Sequence, residues 1–175
     1  MAHERTRAHD NIERDEAATV RRAQLGSAKA FDELVRTRGP DLYRYLLLRL
    51  RNESDARDAL QETITDAWKN LPKLRQPENC WPWLMTIAKR KAIAIARKRP
   101  KVVDLDLDLF ARPDESALEV WDAIARLRPI HREILTLRYL LGLSEREAAQ
   151  VLGIRVGAVK TRSFVARQAL KELLA

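Results

Sequence analysis

Apolar residues recur every three or four positions over most of the chain, and the stretches that carry this spacing read as helices. In "SAKAFDELVRTRG", Ala28, Phe31, Leu34 and Val35 share one face of a short helix. Gly39 stops it, and Pro40 opens the next, "PDLYRYLLLRLR", whose stripe is Leu42, Tyr45, Leu46 and Leu50. "NES" then starts a long third helix, with Ser54 as N-cap and Asp55 and Asp58 in a first turn that favours anions. That helix runs to about Asn70, where "LPKLRQPENC" breaks it with two prolines. A fourth helix starts near Trp81 to Trp83 and continues to Pro100.

The pattern then changes. In "KVVDLDLDLFARPDE", Asp104, Asp106 and Asp108 alternate with Leu105, Leu107 and Leu109, an extended period with nothing beside it to pair with. Helical spacing resumes in "ALEVWDAIARL". Pro129 opens "PIHREILTLRYLL", Gly142 ends it, and "SEREAAQVLGI" and "RVGAVKTRSFVARQALKELL" finish the chain. The expected fold is all-α: an N-terminal helical bundle and a C-terminal helix-turn-helix joined by an acidic extended linker. The expected boundaries are a disordered tail over 1–24, one domain over 25–100, the linker over 101–115 and a second domain over 116–175.

Composition narrows the class of function. The 175 residues carry a net charge of +8, which points to a polyanionic partner, nucleic acid ahead of a membrane surface. Cys80 is the only cysteine, so neither an intramolecular disulfide nor a multi-cysteine zinc site can form. There is no apolar leader and no run long enough to span a bilayer, so a cytoplasmic protein without membrane insertion is expected. No histidine clusters with Cys or Asp and no Gly-rich phosphate loop occurs; neither an enzyme nor a cofactor is expected.

Three helices carry candidate chemistry. Ser144 to Leu170 has the layout of a helix-turn-helix: Ala149 is small where two helices would cross, Gly153 permits the turn, and Leu152, Ile154 and Val159 form a small core. Its last helix has an apolar seam at Val156, Val159, Ala166, Leu170 and Leu173. From Arg155 to Lys171 it carries five basic residues and no acidic one, as a helix lying among phosphates in a major groove requires. The fourth helix has Lys89, Arg90, Lys91, Arg97, Lys98 and Arg99 close to Trp81 and Trp83, a combination suited to single-stranded DNA, whose bases stack on rings. Trp83 falls on the apolar face with Ile87 and can equally serve the core. The third helix exposes Asp55, Asp58, Gln61, Glu62, Thr65 and Asp66 around a thin stripe of Leu60, Ile64 and Trp68. It repels DNA, and is either a solvated face or a protein-docking face.

This order of parts resembles the small extracytoplasmic-function sigma factors of bacterial RNA polymerase, from about Ala28 to Leu174. "DARDALQETITDAW" looks like that family's core-polymerase motif. The resemblance implies that Asp55, Asp58, Leu60, Gln61, Glu62, Thr63 and Trp68 meet the β′ clamp, with the β subunit also a partner. "WLMTIAKRKAIAIARKR" resembles the helix that opens and reads the −10 element, implying roles for Asn79, Trp81, Trp83, Lys89, Arg90, Lys91 and Arg97. "LSEREAAQVLGIRVGAVKTR" is similar to the −35 reader, with Arg155, Gly157, Lys160, Thr161, Arg162, Ser163 and Arg167 as implied contacts to duplex DNA. The chain departs from the family pattern at Cys80, Trp81, Arg90 and Ala94, and at Ser163, which stands where an aliphatic seam residue is usual. An anti-sigma partner is a further implication.

The acidic linker then reads as an extended segment threading a polymerase channel. The rival is that it folds over the basic helices of the free protein. A different class of function, a dimeric helix-turn-helix regulator that binds duplex DNA without polymerase, explains the C-terminal half but leaves the third and fourth helices without a role.

Overall fold

The computed structural model describes residues 15–98, 120 and 123–174, and the acidic segment lies outside them. The regular structure among the described residues is helical, without a strand. Helix α1 spans 15–24, inside the stretch expected to be a tail. It is fixed by burial of Ala17, Val20 and Ala23. Gln24 closes its end by donating to the carbonyls of Leu71 (3.0 Å) and Leu74 (2.7 Å).

Helix α2 runs unbroken from Ala28 to Leu50, where two helices were expected. Pro40 lies inside it, and Gly39 has no positive φ, so the Gly-Pro pair is not a stop. A proline inside a helix costs about 3 kcal/mol or more. Here the apolar stripe keeps one phase across it, with Phe31 and Leu34 before and Leu42, Tyr45 and Leu46 after, all buried on the same core. Ser27 caps the start, and Arg51, at φ 53°, closes the end in the left-handed region.

Helix α3 covers Glu53–Asn70. Asn52 is its N-cap, accepting from the Asp55 N–H at 2.9 Å, two residues earlier than the expected Ser54. Its buried edge is unusually small (Ala56, Ala59, Thr63 and Ala67), which lets α2 and α4 approach closely. Helix α4 spans Cys80–Lys98, with Pro82 in its first turn where no intrahelical N–H is required. Pro129 opens α5, Pro129–Leu135, as the spacing predicts; its continuation, Thr136–Leu140, is a single wide turn of π type closed by Leu141 N–H on Thr136 O at 2.9 Å.

Helices α6 (Glu145–Leu152) and α7 (Val156–Leu174) form the helix-turn-helix. Ser144 and Glu147 make a reciprocal capping box at the start of α6, and Gly153, at φ 68°, takes the left-handed cap at its end. One apolar cluster runs through both halves of the molecule, from Val20 in α1 to Ala166 in α7. The two halves therefore lie against each other.

Candidate nucleic-acid and protein-binding surfaces

The second helix of the helix-turn-helix is anchored by Val159 and Ala166, which are fully buried. The opposite face is open. Arg155, Gly157, Lys160, Thr161 and Arg167 are exposed along it, and Arg162 is half-buried at its border. Lys160 is only loosely engaged, 3.7 Å from Glu145, and Arg167 lies 6.0 Å from the Tyr139 ring. A Cβ added at Gly157 would meet nothing within 4 Å, so the backbone is bare at the start of the face. Phe164, 55% exposed, stands on the same strip. Cations, a hydroxyl, an uncovered N-terminal turn and an exposed ring together can meet phosphates and base edges of a duplex.

A second surface lies between the end of α3 and the middle of α4. Trp83 and Ile87 form the wall of an open groove of about 470 Å³, rimmed by Lys73, Arg75, Arg90 and Lys91. Lys91 is tied to α3, 2.7 Å from Asp66 and 3.3 Å from Glu62, and these hydrogen bonds raise its pKa against a modest loss of hydration. Such a groove offers a splayed base one aromatic platform and its phosphates several cations. Next to it, the outer face of α3 presents Asp58, Gln61 and Glu62 to solvent, with Trp68 41% exposed and its ring tilted 59° against Phe31 at 4.8 Å. Its charge repels nucleic acid and suits a protein partner.

Where the two halves meet, Lys89 donates to the carbonyls of Val151 (3.1 Å) and Leu152 (3.3 Å), filling the acceptors that the end of α6 leaves open. Glu133 receives Arg49 at 2.5 Å and the Tyr45 hydroxyl at 3.1 Å. Burial, then the Glu133 charge, raises the Tyr45 pKa, so the phenol stays a donor. Arg51 reaches the Ala125 carbonyl at 2.5 Å.

Two family models match this chain: sigma-70 region 2 over residues 34–101 and sigma-70 region 4 over residues 117–170. The probable RNA polymerase sigma-C factor of Mycobacterium bovis is 33% identical over 168 residues, covering 89% of this chain and 90% of its own length. The extracytoplasmic-function sigma factor BldN of Streptomyces coelicolor is 36% identical over 170 residues. The chain belongs to the extracytoplasmic-function sigma factors of the sigma-70 family. This sigma factor spans 64% of the length of BldN. In solved structures it is similar to CnrH in complex with the cytosolic domain of CnrY, with a TM-score of 0.72 and 29% identity over 91% of this chain and 96% of that one.

The structure brings the residues singled out in region 2 to different depths. Asp58, Gln61, Glu62 and Trp68 are open, Leu60 is half-buried, and Asp55 and Thr63 are buried, Thr63 donating to Ala59 O at 2.6 Å. Arg90 and Arg97 are exposed and Asn79 half-buried. Trp83 serves both the groove and the apolar cluster. Trp81 is 6% exposed and lines a small cavity with Leu141, Gly142 and Glu147 of the C-terminal half, with the Arg38 guanidinium 4.6 Å above its ring. Cys80, beside it, is buried; burial and then Glu16 push its thiol up to about 12. In region 4, Ser163 faces the seam rather than the open strip, and its hydroxyl has no hydrogen-bond partner among the described residues. Sequence reading passed over Lys73 and Arg75, which sit in a proline-broken loop with no helical register, and Phe164, whose spacing from Lys160 and Arg167 already placed it on the open strip.

Proposed function

We propose how this sigma factor directs transcription initiation. It docks on core RNA polymerase through the open face of α3, with Asp58, Gln61, Glu62 and Trp68 against the β′ clamp and Asp55 and Thr63 holding that face in shape from within. The groove along Trp83, Arg90 and Lys91, continued by Lys89 and Arg97, takes the melted strand of the −10 element. The strip of α7 from Arg155 to Arg167 reads the −35 duplex. The observation that carries this reading is the adjacency, on one bundle, of an acidic helix face and a cationic aromatic groove, followed in the same chain by an acid-free recognition helix. Residues 25–100 and 116–175 act as the two working domains, with 101–115 between them. The protein works in the cytoplasm without catalysis of its own; no helix among the described residues is long and apolar enough to cross a membrane. An anti-sigma protein is a further partner under this reading.

The closed arrangement must open for this to happen. Elements centred ten and thirty-five base pairs upstream are separated by about 85 Å of B-form duplex at roughly 3.4 Å per base pair. A compact chain of this length has a radius of gyration of about 16 Å, hence a span of roughly 40 Å. Lys89 cannot meet a promoter phosphate while it holds the end of α6.

The test is run-off transcription with core polymerase on pooled genomic promoter fragments. Discrete start sites that depend on this protein, lost in Asp58→Ala or Gln61→Ala, are the expected result. Absence of transcripts together with specific duplex binding by the protein alone would sink it and return the regulator that acts without polymerase.

A further inference from the structure

The seam between the two halves contains a cavity of about 630 Å³, and its chemistry is one-sided. Among the described residues, Arg49, Lys89, Arg97, Arg132 and Arg162 line it against a single carboxylate, Glu133, so that five cations face one anion. Glu133 is already held by Arg49 and Tyr45. Lys89 and Arg132 find only backbone carbonyls, which satisfy hydrogen bonds but not charge. Arg97 and Arg162 have no acidic partner among the described residues. The wall between these cations is apolar, with Ile93, Ile130 and Leu152.

Gathering like charges in a partly dry cavity is unfavourable unless something of opposite charge enters. Burial and then Arg51 and Arg49 lower the Arg132 pKa to about 10, and burial lowers that of Lys89, opposed by the Glu133 charge and reinforced by Arg49 and Arg162. The cavity lies within the roughly 300–1,000 Å³ range of small-molecule sites, and a junction between domains is where such sites concentrate.

We infer that this cavity binds a small polyphosphate anion, either a nucleoside triphosphate or an inorganic polyphosphate, that bridges the two halves. Guanidinium forks from α4, α5 and α7 meet its phosphate oxygens in pairs. The apolar wall is where a nucleobase lies if the ligand carries one. Because the anion touches both halves at once, it binds the closed arrangement better than the open one and shifts the population toward it. Lys89, Arg97 and Arg162 are also promoter contacts under the functional reading above, so the ligand and promoter DNA oppose each other. That consequence rests on the functional reading; the binding itself does not.

Calorimetric titration of the full chain tests the site, with inorganic tripolyphosphate, GTP and sulfate as probes at matched ionic strength. Saturable one-to-one binding of tripolyphosphate, at least tenfold tighter than sulfate, is expected. Arg132→Gln, outside every proposed promoter or polymerase contact, weakens it at least tenfold, while Arg155→Gln, at the far start of the recognition helix, leaves it unchanged. Arg162→Gln gives the same loss as Arg132→Gln, which guards against a folding artefact from the Arg132 bond to Ala125. GTP binding more tightly than tripolyphosphate identifies a nucleotide; equal affinity identifies inorganic phosphate. The inference is overturned by non-saturable binding, by equal loss in Arg155→Gln, or by full affinity in Arg132→Gln. With the site established, tripolyphosphate must also weaken promoter-fragment binding by the wild type more than by Arg132→Gln; failure of this arm alone removes the opposition to DNA and leaves the site.

Discussion

Helices α4 and α7 look alike as strings of cations, yet the fold treats them differently. On α7 the basic residues other than the half-buried Arg162 are open, and among the described residues their acidic contact is a loose one between Lys160 and Glu145. On α4 two of the cations are already engaged, Lys89 with the end of α6 and Lys91 with Asp66 and Glu62, and Trp81 lines a small cavity with residues of the C-terminal half. Under the proposed roles the duplex-facing strip is largely pre-formed, whereas Lys89 joins the strand-facing groove only when the halves part. Charge counts cannot distinguish these cases, because availability is set by what each cation touches.

The sharpest way to break the contrast is to remove Glu133. Glu133→Ala leaves Arg49 without its carboxylate at a contact only 27% and 17% exposed on the two sides. Losing one partner of a fully buried pair costs about 3–5 kcal/mol, and this partly hydrated one falls at the lower end. The closed arrangement is expected to open, with a larger radius of gyration in X-ray scattering and tighter binding of single-stranded oligonucleotides, while duplex binding through α7 hardly changes. Trp83→Ala acts in the other direction. Loss of one stacking platform costs about 1–3 kcal/mol in single-strand affinity, read by fluorescence anisotropy on a fork-junction template with polymerase. On α7, Lys160→Ala and Arg167→Ala each lower the slope of log affinity against log salt by about one for the −35 duplex, uniformly across sequences. The smallest effect is at Asp66→Asn, which loosens Lys91. An exposed pair of this kind is worth about 0.2–1 kcal/mol, so thermal stability drops slightly and single-strand affinity rises by a similar amount.

Much of this was legible wherever local chemistry decides the structure. Pro129 as a first helical residue and Gly153 as the turn residue follow from single positions and hold. Cues that depend on distant packing misled. Gly39-Pro40 reads as a stop, but the shared phase of Phe31, Leu34, Leu42 and Tyr45 on one core overrides it. Residues 15–24 look polar enough for a tail, and only the presence of α2 and the end of α3 gives Ala17, Val20 and Gln24 something to pack on. The candidate surfaces divide the same way. The open strip of α7 was visible in its periodicity, whereas the depth of Trp81 and Thr63 depends on which neighbours arrive. Ser163 illustrates the limit from the other side: its type suggested a contact with DNA, but its place in the helical repeat assigned it to the seam.

The acceptors that hold Lys89 are main-chain oxygens of residues 151 and 152, not side chains. Any residue at those positions offers the same two oxygens. Substitutions that alter the exposed side chains of α7 therefore leave this fastening in place. Restraint and recognition can evolve separately, because one is written in the backbone and the other in the side chains.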